Sequence, residues 1–126
     1  MGTKVFILFC MIFCHIVDDY YLQGWLASTK QKKWWELNAP EELYKHDYLM
    51  ALFMHSFSWA FMIMLPVTVY VLLFGGKWFP LLYLLNMIIH FIVDDLKANK
   101  KKINLIYDQT MHLIQIVITW FVAIMM

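Results

Sequence analysis

The chain has 126 residues, of which 63% are hydrophobic and 18% aromatic, while only 15% are charged, for a net charge of +1. Soluble domains carry about 25% charged residues, so this composition excludes an ordinary soluble fold and points to an integral membrane protein. All ten basic residues are lysine. Without arginine there is no bidentate fork for phosphate, which argues against nucleic acid as a partner.

The first apolar segment covers residues 5–22, close to the roughly 20 residues that span a bilayer. Cys10 and Cys14 lie four apart within it, a helix-face spacing rather than a CxxC motif, and read as small core residues. No small-x-small cleavage site follows the segment, so it is expected to be a retained membrane helix. Gly24 ends it. Residues 24–38 follow, with Trp25, Trp34 and Trp35 beside Lys30, Lys32 and Lys33. This composition suits an amphipathic helix in the headgroup region, or else an ordinary polar loop.

Asn38-Ala39-Pro40-Glu41-Glu42 reads as a helix start, with proline in the first turn and acids at the positive end of the dipole. The second helix is expected to run from there to Phe74, with residues 48–74 in the membrane and a kink at Pro66. Gly75 and Gly76 form a turn. Residues 79–96 and 103–124 supply the third and fourth spans. The expected fold is all-α: an integral membrane antiparallel four-helix bundle, one domain over residues 1–126, built from two tandem helical hairpins. Lys30, Lys32, Lys33 and Lys45 lie in one connection and Lys97, Lys100, Lys101 and Lys102 in another, against Lys4 and Lys77 on the opposite side. The positive-inside rule then places the basic loops in the cytoplasm and both termini outside the inner membrane.

The two halves resemble each other. His15 and Asp19 are four apart, as are His90 and Asp94, and each pair ends an apolar segment. Met54-His55 echoes Met111-His112 early in the following segments. Asp108 stands four before His112, whereas the equivalent slot before His55 is Ala51. Residues four apart share a helix face, and antiparallel helices bring these ends together. His15, His55, His90 and His112 with Asp19, Asp94 and Asp108 are therefore expected to converge. Ionisable groups inside apolar helices are costly and mark function.

Imidazole and carboxylate together suit a divalent metal: zinc first, with iron or manganese as alternatives, as one ion or two. Asp19, Asp94 and Asp108 are the candidate catalytic bases. Gln23 and Asn86 extend the two stripes, and Lys97 lies three beyond Asp94; these are candidates for orienting ligands or contacting substrate. Asp18 and Asp95, the other members of the Asp-Asp pairs, are expected to point about 100° away from the cluster. His46 reads as an interfacial polar residue.

The ordered set His15-x-x-x-Asp19-x-x-x-Gln23, His55, His90-x-x-x-Asp94-x-x-Lys97 and Asp108-Gln109-x-x-His112 resembles an uncharacterised family of small bacterial and phage four-helix membrane proteins, classed as a domain of unknown function. The His-x-x-x-Asp word is also similar to that of membrane-bound metal-dependent hydrolases. The resemblance implies four membrane helices, a metal-dependent activity and a place for Gln109 beside the site. The expected function is hydrolysis at the cytoplasmic membrane face, with the lipid bilayer as surroundings and an amphiphilic small molecule, a lipid or a lipid-linked phosphate as substrate. The alternatives are ion or proton transport, which in so short a bundle requires an oligomer, a haem-binding bundle, and a non-catalytic membrane accessory role.

Overall fold

The apolar runs, rich in Leu, Met, Ile and Phe and almost free of Gly and Pro, become helices. The computed structural model describes residues 1–126 and contains helices and no strands. Helix α1 spans Gly2–Val17 and continues into a π-helical turn, Asp18–Leu22. Gly24, at φ +47°, takes the left-handed conformation that turns the chain. Two short helices follow, α2 (Leu26–Thr29) and α3 (Lys32–Asn38). The indole N–H of Trp35 donates to the Thr29 carbonyl at 2.7 Å, and Trp25, Trp34 and Trp35 meet edge to face, which fixes this pair as one unit.

Helix α4 spans Asp47–Phe74 and runs through Pro66. Its start differs from the expectation at Asn38–Pro40. Asn38 instead closes α3, its amide donating back to the Trp34 carbonyl at 2.8 Å. Glu42–Tyr44 form only a 3₁₀ turn before α4 begins after His46. A side chain that satisfies the preceding turn cannot also cap the next helix. His46 is exposed at the boundary.

Gly75 and Gly76, at φ +78° and +138°, lead to α5 (Pro80–Ala98), which opens on proline. Lys101, at φ +52°, is the one non-glycine residue in the left-handed region. Helix α6 spans Leu105–Trp120, with the Asn104 side chain accepting from the Tyr107 N–H at 3.0 Å, and ends in a π-helical turn, Phe121–Met125.

Helix α4 packs against α1 and α5, and α6 packs against the same two helices from the other side. The core between them contains Met11, Trp59, Ile63, Met64, Val67 and Ile116. Three helical stretches, Gly2–Leu22, Glu42–Phe74 and Leu105–Met125, are long and apolar enough to cross a membrane. Helix α5 is comparable in length but carries Asp94, Asp95 and Lys97 in its last turns.

Ile63 is fully buried whereas Phe61, on the same helix, is 51% exposed. Ile63→Ala should cost about 2–5 kcal/mol through the cavity it leaves, read as a lower unfolding midpoint in detergent. Phe61→Ala should leave that midpoint nearly unchanged.

Candidate metal centre

Each histidine of the centre is set by its helix. His15 lies in the last turn of α1, His55 two turns into α4, His90 in the second half of α5, and His112 two turns into α6. The ends of α1 and α5 thus meet the beginnings of α4 and α6. All four histidines are buried, at 0–2% exposure, and so are Asp19, Asp94 and Asp108.

The imidazole Nε2 atoms of His55 and His90 are 3.1 Å apart. His55 Nε2 is 3.2 Å from Asp94 Oδ2 and 3.5 Å from Asp19 Oδ1. Asp94 Oδ1 is 3.8 Å from His90 Nε2 and 3.6 Å from His112 Nε2. Two donor triads emerge, Asp19–His55–His90 and His90–Asp94–His112, which share His90. A tetrahedral zinc with bonds near 2.0–2.1 Å has ligand-to-ligand edges of about 3.3 Å, and the observed spacings bracket that value. Asp94 turns Oδ1 toward His90 and His112 and Oδ2 toward His55.

Several buried polar atoms at and around the centre have no partner. Asp19 Oδ1 and His112 Nε2, which face the triads, are buried without a hydrogen-bond partner, as are Asp108 Oδ1, His112 Nδ1, the Nδ1 atoms on the far ring edges of His55 and His90, and Asp18 Oδ2, Gln23 Oε1 and Gln115 Oε1. Unpartnered buried polar atoms are costly, and they are uncommon outside sites that take a ligand. The residues present fit a divalent ion, and these buried His/Asp groups can hold one.

His15 stands apart. The indole N–H of Trp59 donates to its Nδ1 at 2.8 Å, and its Nε2 faces the Gln109 carbonyl oxygen at 3.0 Å. With Nδ1 accepting, Nε2 carries the proton and donates to Gln109. Both nitrogens are thus occupied. Gln109 passes the contact onward, its amide donating to Asp108 Oδ2 at 2.9 Å and to Asp19 Oδ2 at 3.3 Å. His15 braces the carboxylates through Gln109. Trp59 fixes a second ring as well: it stacks on His90 at 4.2 Å and 14°, and His112 packs against both, 4.3 Å from His90 and 5.3 Å from Trp59.

Asp108 is held by Lys97 at 2.8 Å and stands 3.3 Å from His112 Nε2. Gln23 donates to the Asp19 carbonyl one turn earlier. Asn86 lies one turn below His90 and touches neither triad; it bonds with Gln115 at 2.8 Å and Thr119 at 2.9 Å in a buried polar layer.

Two residues depart from the sequence reading. Asp18 does not point away: it is 1% exposed, accepts from Ser58 at 2.5 Å, and sits 4.0 Å from His55 Nδ1. The π-helical turn at Asp18–Leu22 widens the backbone there, so both carboxylates of the pair face inward. In the regular helix α5, Asp95 does face outward, toward Lys100 at 3.5 Å. Lys30, read as a membrane-surface lysine, instead reaches Asp94 Oδ2 at 2.6 Å with its side chain 12% exposed. Asn99 locks this reach, its amide donating to the Lys30 carbonyl at 3.1 Å while its oxygen accepts from the Lys32 N–H at 2.7 Å. A contact across 64 residues leaves no trace in local periodicity.

Counted as ionised, the buried aspartates outnumber the lysines that reach them. Asp18, Asp19, Asp94 and Asp108 are buried, against Lys30 and Lys97 as the two lysines that reach them. One divalent ion offsets the excess of two negative charges, as does protonation of two histidines.

Fold and site together define an all-helical protein with a buried histidine–aspartate centre between strongly apolar helices. Residues 7–126 match the family model described as Protein of unknown function (DUF3307), and the chain belongs to that family. No curated protein and no solved structure matches it.

Trp59→Phe keeps a ring on His90 and removes the donor to His15. The orphaned Nδ1 should cost about 1–3 kcal/mol, seen as a lower thermal midpoint in detergent, with the His15 imidazole signals of an NMR spectrum shifted.

Proposed function

We propose that this chain is an integral membrane protein in which α1, α4, α5 and α6 form an antiparallel four-helix bundle, and that its His/Asp centre is a metal site for hydrolysis of an amphiphilic substrate at the cytoplasmic membrane face. The observation that carries the reading is the pair of donor triads joined through His90, with Asp94 turned toward both His55 and His112 and with ligand spacings near those of a tetrahedral ion. Membrane integration is supported by the outward faces. Phe6, Phe9 and Phe13 of α1 are 61–66% exposed, and Phe53, Phe57 and Phe61 form a similar stripe on α4. Water would not tolerate two such stripes, and acyl chains would. The lysines near Lys30 and Lys97 orient the centre toward the cytoplasm, with both termini outside.

Zinc suits this donor set best, with iron and manganese also compatible; when bound it would lower the pKa of a coordinated water to near 7. His55, His90 and His112 with Asp19 and Asp94 would hold the ion. Asp108, 3.3 Å from His112 Nε2 and paired with Lys97 at 2.8 Å, is placed to accept the proton of the attacking water and return it to the leaving group. Hydrolysis adds the water oxygen to the electrophilic centre and the proton to the departing alcohol. His15, Gln109 and Trp59 hold the carboxylates and His90 in register.

Purified protein should contain one to two equivalents of a divalent metal by elemental analysis. His90→Ala/Asp94→Ala should contain less than a tenth of that, with helical content unchanged by circular dichroism. Equal and negligible metal in the two preparations would remove the reading.

Transport has one observation in its favour. The layer of Asn86, Gln115 and Thr119 continues the polar stripe of His90 and His112 deeper between α5 and α6. Proton or metal flux into liposomes that survives loss of hydrolysis would favour it.

A further inference from the structure

A polar cavity of about 460 Å³ borders the centre at Asp94, bounded by Gln23, by residues 27–31 and by the end of α5. Asp94 forms its inner wall. Lys30, Lys97 and Lys101 surround it, with Gln23 and Gln31 between them. Its walls carry three ammonium groups against one carboxylate, and that carboxylate belongs to a triad.

The three lysines are not equivalent. Lys30 gives one N–H to Asp94, and Lys97 gives one to Asp108. An ammonium has three donors, so each keeps N–H groups free for the cavity. Lys101 makes no ion pair. It also holds the left-handed backbone at φ +52°, the conformation that glycine adopts most easily at a helix end. A lysine at that position supplies a charge where the backbone alone favours glycine. Further along the same helix pair, α5 and α6 enclose a mostly apolar groove of about 260 Å³, lined by Leu82, Leu85, Ile89, Met111, Ile114 and Ile118 with the Asn86, Gln115 and Thr119 layer. The Lys97–Asp108 pair joins the same two helices on the side of the groove toward the cavity.

We propose that this cavity is an anion subsite that takes the phosphate group of a phosphate ester, with Lys101 as its dedicated cation and Lys30 and Lys97 as shared donors. The inference rests on the metal-hydrolase reading and gives it a substrate class. The phosphate lies between the lysines and the triads, so that its phosphorus, or the ester bond next to it, is presented to the centre. The α5–α6 groove receives an acyl or prenyl chain. Ammonium groups that are already half-engaged by carboxylates are rigid and preorganised, so little ordering is needed when the anion arrives.

The test uses the full chain in uncharged detergent, titrated calorimetrically with three probes: dihexanoyl phosphatidic acid, dihexanoylglycerol and inorganic phosphate. Metal content is measured on the same preparations. Lys101→Gly removes the charge at a site where glycine is conformationally preferred, so folding is preserved, and Lys101→Arg restores the charge. Phosphatidic acid should bind more tightly than dihexanoylglycerol. Its affinity should fall up to about five-fold in Lys101→Gly, as for loss of one exposed ion pair, and return in Lys101→Arg, while dihexanoylglycerol is unaffected by either. Inorganic phosphate binding as tightly as phosphatidic acid, with the same Lys101 dependence, would support the subsite with free phosphate as its source. Phosphatidic acid binding no better than dihexanoylglycerol, or equally in Lys101→Gly, would overturn the proposal. Normal metal content in that case would leave the metal centre standing, whereas Lys101-dependent phosphate binding by metal-free protein would retain the subsite and remove the centre.

Discussion

Four carboxylates and four imidazoles buried between apolar helices must satisfy one another, since neither water nor lipid can do it. That requirement organises the molecule. Burying a lone ion costs several kcal/mol even after relaxation, so each acidic group is met by a partner from another helix. Lys30 comes to Asp94 from α2, Lys97 to Asp108 from α5, Ser58 to Asp18 from α4, and Gln109 to Asp19 from α6. The partners on three of these helices lie far from their acids in sequence, so the polar centre ties the helices together. Of the buried atoms left without a partner, Asp19 Oδ1 and His112 Nε2 face the triads, whereas those of His55 and His90 are the Nδ1 atoms on the other edge of each ring.

The duplicated sequence does not produce a duplicated centre. In the second half, His90, Asp94 and His112 form one triad by themselves. In the first, Asp19 and His55 must borrow His90, because Trp59 and Gln109 have taken both nitrogens of His15. Trp59 stands four after His55, and the position four after His112 is Ile116. That one difference between indole and aliphatic side chain converts an equivalent ligand into a brace. The π-helical turn adds a second asymmetry: it gives the first half an inward Asp18 where the second half has an outward Asp95.

The helices were legible because apolar runs of sufficient length have few alternatives, and the gathering of His and Asp followed from spacings of four at helix ends that meet. The start of α4 was not legible, because Asn38, Pro40 and two glutamates form a plausible cap whose amide is diverted to Trp34. The occupied state of His15 was hidden for a related reason: whether an imidazole is free depends on what faces it from another helix. Lys30 was hidden most deeply. Beside Trp25 and Trp34 it has the composition of a headgroup lysine, and only the clamp at Asn99 shows why it turns inward.

Helix α5 leaves a last consequence. Its uncharged part, Pro80–Val93, is about 21 Å long at roughly 1.5 Å per residue, while a bilayer core is about 30 Å thick. Longer neighbours such as α4 have no such deficit. In the proposed bilayer setting, the membrane beside α5 would therefore have to thin locally on that flank alone. Headgroups and water would dip toward the end of α5 where Asp94 and Lys97 sit. A site buried within the bundle would then lie close to the polar surface in depth, and a lipid could present its head to it without leaving its leaflet.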